Sequence, residues 1–366
     1  MECAFDALAG IALRVDCVDL ETPVTVVSAL VISASLTSVM RTIAESRGVV
    51  DVPNERSSHN TSTPRGGGVA IVITTLVAVA ATAVFGDAPI GLVVTLLVGG
   101  AAVAIVGFVD DYRHVAVSMR LAVHVAAFAW CASSLGRLPA IDLGLAIWDL
   151  SIVGTTCAVV FLVWFLNLYN FMDGIDGIAS VEAISVAGIA AALLASRGGD
   201  PSTIWLLLVL AAAVSGFLIW NWPPARIFMG DAGSGFLGFT LGAIAWATVV
   251  SGQLSVWVWL ILVGAFVSDA TVTLYRRWRR GERLHAAHRT HAYQRLSRRL
   301  GSHLKVTLGF LVVNLVWLAP LAWVATVRPS WGFALTLTAW LPLAVLAWRF
   351  GAGLPGELGH DSVGRK

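Results

Sequence analysis

Asp110 and Asp111 stand side by side where an apolar run ends, in Gly107-Phe-Val-Asp110-Asp111-Tyr-Arg-His114. Adjacent carboxylates at a membrane boundary repel each other and resist desolvation, so they persist where a cation or a proton is shared with a substrate. A solvated helix end explains them as well when they are taken alone. A second segment reads Asn167-Leu-Tyr-Asn170-Phe-Met-Asp173-Gly174-Ile-Asp176-Gly177. Its amides and acids recur every third residue, a series that drifts by roughly 60° per step around a helix. They converge only if the helix breaks, and Gly174 and Gly177 supply the break.

A third segment, Trp222-Pro223-Pro224-Ala-Arg226-Ile-Phe228-Met-Gly230-Asp231-Ala-Gly-Ser-Gly235, stops one apolar run and opens the next. Free amides at a helix start favour an anion such as phosphate, and Asp231 beside them fits a divalent cation bridging to it. In the loop 276–296, His285, His288 and His291 are spaced by three among many arginines, including Arg289. A setting this cationic resists zinc; phosphate recognition by Arg and protonatable His fits better. Arg65, followed by Gly66-Gly67-Gly68, is a candidate anion cradle.

These segments have to be held by something, and the rest of the chain says what. The 366 residues are 57% hydrophobic and 13% charged, with a mean hydropathy of +0.81. Soluble domains carry about a quarter charged residues, so that class is excluded. The net charge of +2 gives no reason to expect a nucleic-acid partner. Cys3, Cys17, Cys131 and Cys157 lack metal or redox spacing. Residues 1–21 mix acids with apolar residues and show no cleavable signal pattern.

A helix needs about 20 apolar residues to cross the hydrocarbon. Eleven runs qualify: roughly 22–42, 67–86, 90–109, 119–136, 152–170, 178–196, 203–220, 233–250, 254–275, 305–327 and 331–349. The expected fold is therefore an all-α polytopic membrane protein of about 11 transmembrane helices. With the N-terminus outside, the loops after odd-numbered runs and the C-terminal tail hold 20 of the 24 Lys and Arg. The positive-inside rule then puts the C-terminus in the cytoplasm. Residues 1–21 are expected to be a short external segment, 22–349 a single catalytic domain with five cytoplasmic loops, and 350–366 a cytoplasmic tail. Every segment described above falls on that one side, which suits an enzyme joining a soluble substrate to a lipid head group.

Together these segments closely resemble the polyprenyl-phosphate N-acetylhexosamine-1-phosphate transferase family, of glycosyltransferase family 4 type. Asp110-Asp111, the Asn167 to Gly177 segment and Phe228-Met-Gly-Asp231 carry the resemblance, in family order. Asp51 to His59, Pro64 to Gly68 and the spaced histidines resemble the branch that initiates O-antigen and related surface glycans. The muramoyl-pentapeptide branch carries Lys where this chain has His114, and consecutive rather than spaced histidines, so a peptidoglycan role is not expected.

The resemblance implies transfer from a UDP-N-acetylhexosamine to undecaprenyl phosphate with release of UMP, at the cytoplasmic face of a bacterial plasma membrane. It implies Mg²⁺, which Mn²⁺ can replace, and it allows a homodimer. It assigns the metal to Asp231, Asn170 to a second metal-ligand position or a nucleotide contact, and lipid-phosphate activation to Asp110 and Asp111. Asp173 and Asp176 fall to the nucleotide, His285, His288, Arg289 and His291 to the pyrophosphate or sugar, with His288 counted as catalytic, and Asn167 and Arg65 to substrate binding. Direct attack on the β-phosphorus and a covalent Asp-phosphosugar intermediate both stay open. A secondary transporter with cytoplasmic gating loops is the rival class; it predicts mid-span acids and inverted repeats, with Asp269 and His124 as the candidates. A CDP-alcohol phosphotransferase would need an acidic motif that Asp173 to Gly177 lacks.

Overall fold

Inside hydrocarbon a backbone amide must find its partner within its own segment, so long apolar runs become helices. The computed structural model describes residues 21–51, 62–85, 88–144, 146–149, 151–282 and 288–355, and all eleven runs are helical in it. They are α1 (Glu21–Ser46), α2 (Gly68–Phe85), α3 (Ile90–Tyr112), α4 (Val117–Leu135), α5 (Ser151–Met172), α6 (Ile178–Ser196), α7 (Pro201–Asn221) and α8 (Asp231–Val250). The ninth run is split into α9 (Val256–Leu262) and α10 (Gly264–Arg279), followed by the short α11 (Ala292–Leu300), then α12 (His303–Val327) and α13 (Gly332–Arg349).

Among the described residues nine helices are long and apolar enough to cross a bilayer, or ten if α9 and α10 count as one span. The second run, α2, is shorter, and α9 and α10 meet at a 73° bend. The expected all-α polytopic fold is found, with nine or ten candidate spans among the described residues beside the about 11 expected. The only strands described are two-residue antiparallel ribbons, Val50–Asp51 with Thr63–Pro64 and Ile141–Asp142 with Ile147–Trp148.

Helix α8 forms the middle of the bundle, packed against α2, α3, α4 and α5. Its Gly- and Ala-rich sequence lets those backbones come close, as small residues do in membrane helix contacts. At one end of the bundle lie the junctions after the odd-numbered runs. The opposite end is knit by its own contacts, such as the Asp200 amide to Gln253 Oε1 at 2.8 Å and Trp257 Nε1 to the Asp142 carbonyl at 2.7 Å.

One buried acid escaped the sequence reading. Glu182 in α6 is 1% exposed, and its Oε2 accepts from Asn314 Nδ2 at 2.7 Å. Asn314 sits on a π-helical turn of α12, Val313–Leu318, and also donates to Ser185 Oγ at 2.7 Å. Glu182 Oε1 and Asn314 Oδ1 have no partner among the described residues. Glu182→Gln is therefore expected to keep or raise stability, because its amide can donate to Asn314 Oδ1. Glu182→Leu leaves one of the two Asn314 amide N–H groups without its acceptor and is expected to cost about 1–3 kcal/mol. Thermal unfolding of the two variants in detergent checks the order.

Candidate active site

The loop before α2 is fixed by pairing with the loop before α8. Phe228 N donates to the Pro64 carbonyl at 2.8 Å, Gly66 and Gly67 donate to the Phe228 carbonyl at 3.1 and 2.9 Å, and Gly68 donates to Met229 at 2.9 Å. The glycine amides expected to cradle an anion are thus consumed by backbone pairing. What the pairing delivers instead is the Arg65 side chain. Its Nη2 lies 2.8 Å from Asp111 Oδ1 and 2.8 Å from Asp231 Oδ1.

The start of α8 is likewise not an open anion site. The Asp111 carboxylate, only 1% exposed, accepts from the Asp231 amide at 2.9 Å and the Ala232 amide at 3.2 Å. The Gly233 and Ser234 amides turn back to the Gly230 carbonyl at 3.2 and 3.1 Å. The expected phosphate position is filled by the chain's own carboxylate, a helix cap supplied from a distant span. Gly230 makes room for it: φ is +79° and ψ 172°, a region essentially closed to residues with a Cβ. A Cβ there would also sit 2.6 Å from Asp111 Oδ2. Gly230→Ala is expected to cost about 1–3 kcal/mol of stability and most of the activity, read by melting and turnover on one preparation.

Asp110 is held differently. Its Oδ1 accepts from the Val115 amide at 2.7 Å, and its Oδ2 pairs with Arg120 Nη1 from the first turn of α4. The same Nη1 reaches Asp231 Oδ2 at 3.3 Å. Arg120 was not singled out from the sequence. The available signal was a lone guanidinium inside an apolar run, which hydrocarbon does not tolerate without a partner.

Of the four polar residues spaced by three, the structure brings Asn170 and Asp173 to this cluster. Asn170 Nδ2 donates to Ser234 Oγ at 2.8 Å and faces the Asp231 carboxylate. Asp173 follows the end of α5; its amide donates to the Asn170 carbonyl at 3.3 Å, while its carboxylate makes no hydrogen bond or ion pair to any described residue. Its carboxyl is pushed up to about 7, first by removal from water and then by the Asp231 charge, with Arg65 opposing. Asn167 instead donates to its own helix at the Val163 carbonyl, 2.7 Å away. Asp176 is a structural staple: Oδ2 accepts from the Ala225 amide at 3.0 Å and lies 3.1 Å from His303 Nδ1. Neither meets the acidic cluster directly.

The histidine segment approaches from the other side of that turn. Tyr293 Oη donates to the Phe171 carbonyl at 3.0 Å, and the His288 ring lies 6.1 Å from the Phe171 ring. His288 and His291 are stacked, with centroids 4.9 Å apart at 24°. Burial, His291 and Arg277 push His288 down to about 3, so this imidazole is neutral rather than the cation the sequence suggested. The Arg289 carbonyl accepts from Arg298 at 3.1 Å. His285 lies outside the described residues, as do residues 52–61 of the first loop. His114 is exposed, and His124 is buried in α4 one turn beyond Arg120, with Nδ1 unpartnered among the described residues.

The cluster therefore gathers four carboxylates, Asp110, Asp111, Asp173 and Asp231, around two guanidiniums, Arg65 and Arg120. When all are ionised, two negative charges are left over, which matches one divalent cation. Among the described residues no three His, Cys, Asp or Glu side chains are preset as a metal cage. Mg²⁺ does not ask for one: it takes one or two carboxylates and completes its shell with water and substrate phosphates. The oxygens of Asp231 and Asp173 fit that habit.

Residues 93–249 match the profile described as glycosyl transferase family 4. The chain is 27% identical to a probable undecaprenyl-phosphate N-acetylglucosaminyl 1-phosphate transferase of Bacillus subtilis, over 77% of this chain and 78% of that one. It is 29% identical to the decaprenyl-phosphate N-acetylglucosaminephosphotransferase of Mycobacterium tuberculosis, over 82% and 80% of the two chains. A phospho-N-acetylmuramoyl-pentapeptide-transferase of Synechococcus is 37% identical over a shorter stretch, 38% of this chain and 36% of that one.

Proposed function

We propose that this chain, a member of glycosyl transferase family 4, transfers an N-acetylhexosamine 1-phosphate from a UDP-sugar to undecaprenyl phosphate. The products are undecaprenyl-diphosphate-linked sugar and UMP, and the reaction is the first membrane step of O-antigen or another surface glycan. It takes place at the cytoplasmic face of a bacterial plasma membrane. The observation that carries this reading is the acid–arginine cluster at one end of an apolar bundle. A lipid phosphate reaches that end from the bilayer and a nucleotide reaches it from water.

In this mechanism an oxygen of the lipid phosphate attacks the β-phosphorus of the UDP-sugar. The bond to the bridging oxygen breaks, and UMP leaves with that electron pair. Asp231 and Asp173, with Asn170 alongside, would hold Mg²⁺, which offsets phosphate charge and orients the donor pyrophosphate when bound. Asp111 is committed to capping α8, so Asp110 is the member of the pair that can exchange Arg120 for substrate and keep the lipid phosphate deprotonated. Arg65 and Arg120, which cross-link the acids, turn to the phosphates as two fixed cations. His288 contributes a neutral imidazole, suited to hydrogen bonding a sugar hydroxyl or amide.

The test is a radiolabel assay on the purified protein with several UDP-N-acetylhexosamines, undecaprenyl phosphate and Mg²⁺. The expected result is a labelled lipid product, equimolar UMP, and loss of both on chelation. No labelled lipid from any of the donors would refute the reading. Exchange of labelled UMP into UDP-sugar without lipid would replace direct attack with a covalent intermediate.

A further inference from the structure

Asp269, in the middle of α10, takes part in none of the steps above, yet it is 2% exposed and fully engaged. Its Oδ1 accepts from the Ala292 amide at 2.9 Å and from Thr273 Oγ1 at 3.1 Å, and lies 3.3 Å from His291 Nδ1. Its Oδ2 accepts from the Tyr293 amide at 2.9 Å. It thus caps α11 from another helix, as Asp111 caps α8, and it does so on the 73° bent element.

His291 Nδ1 is held between the Asp269 carboxylate and the Gln294 amide that it caps, which fixes the ring and leaves Nε2 as the atom turned away. His291 Nε2 is buried and has no partner among the described residues, and neither has His288 Nε2. A buried, unpartnered ring nitrogen on a 1% exposed residue is costly unless a ligand completes it. The neighbouring Tyr293 is set just as closely: a Cβ on Gly174 would collide with its hydroxyl. The start of α11 is therefore registered against the turn that carries Asp173.

We infer that Asp269 is a positioning residue for the UDP-sugar. By capping α11 and holding His291 Nδ1, it directs His291 Nε2 at the donor. The inference rests on the transferase reading for its ligand, but its geometry can be tested without turnover.

Three variants of the full chain decide it: Asp269→Asn, His291→Ala and the double substitution. Asp269→Asn is expected to raise KM for the UDP-N-acetylhexosamine at least about tenfold, the scale on which lost orienting carboxylates act. KM for undecaprenyl phosphate should stay within about twofold, because the acids at α8 do not touch Asp269. The double variant should be no worse than His291→Ala, since one residue acts through the other. Equal changes in both KM values, no change in either, or strictly additive losses would each overturn the inference. Hydrogen exchange over residues 288–300 supplies the readout that needs no substrate. Faster exchange of the Ala292 and Tyr293 amides in Asp269→Asn supports the positioning role even if wild-type protein transfers no sugar, and unchanged exchange refutes it.

Discussion

Asp231→Ala is expected to cut turnover about a thousandfold or more, the upper range for removing one preorganised charge from a phosphoryl-transfer site. Among the described residues its side chain alone touches both guanidiniums, Arg65 at 2.8 Å and Arg120 at 3.3 Å. Without it Arg65 closes on Asp111 and Arg120 on Asp110, and the excess negative charge that suits a divalent cation is halved. The fold should survive, because α8 is capped through the Asp231 amide, which alanine retains. The loss is therefore expected in turnover and Mg²⁺ dependence, with the melting temperature in detergent little changed. Asp111→Ala should behave differently. It removes the cap as well as the charge, so about 0.5–2 kcal/mol of stability should go together with activity. Near-wild-type turnover of Asp231→Ala would remove this residue from the chemistry altogether.

Asp173→Asn should separate stability from function in the opposite direction. A carboxyl whose folded pKa is raised to about 7 favours the native state while it is protonated. That contribution is complete below the ordinary Asp value and is lost as pH climbs through 7. At pH 8 the ligand-free protein holds an unpaired charge next to Asp231, so the amide variant should melt higher than wild type. At pH 5 the difference should be smaller, and it should close only below the ordinary Asp value. Turnover should fall at least about a hundredfold, because asparagine cannot supply the charge that the cation and the donor pyrophosphate need. Strain of this kind at a working site is the usual trade between stability and activity. Melting curves at the two pH values and one rate measurement check all three statements; a variant that melts below wild type at pH 8 would contradict them.

The bundle was legible because hydropathy writes each span into consecutive residues, and every apolar run is helical. The ninth run kept its length and hydropathy while bending at Val263 and Gly264, which composition does not record. The acids of the site were legible as types, since charges at span ends need a reason. Their partners were not. Asp111 answers amides in α8, Asp176 answers Ala225, and Asp269 answers α11, all contacts made only in three dimensions. For the same cause the anion cradles read from Gly66 to Gly68 and from Gly230 to Gly235 proved to be used internally. A loop's free amides can be counted in sequence, but what fills them cannot.

The cap on α8 joins residues 120 positions apart, and this sets an order on biogenesis. While the ribosome is still delivering α4 to α7, Asp110 and Asp111 sit at the bilayer surface with Arg65 and Arg120 but without the helix end that Asp111 closes. The acid–arginine cluster is thus completed late, once α8 enters between α3 and α5. A chain interrupted before that point can be inserted and anchored, yet it remains inert toward the cell's pool of activated sugar and carrier lipid.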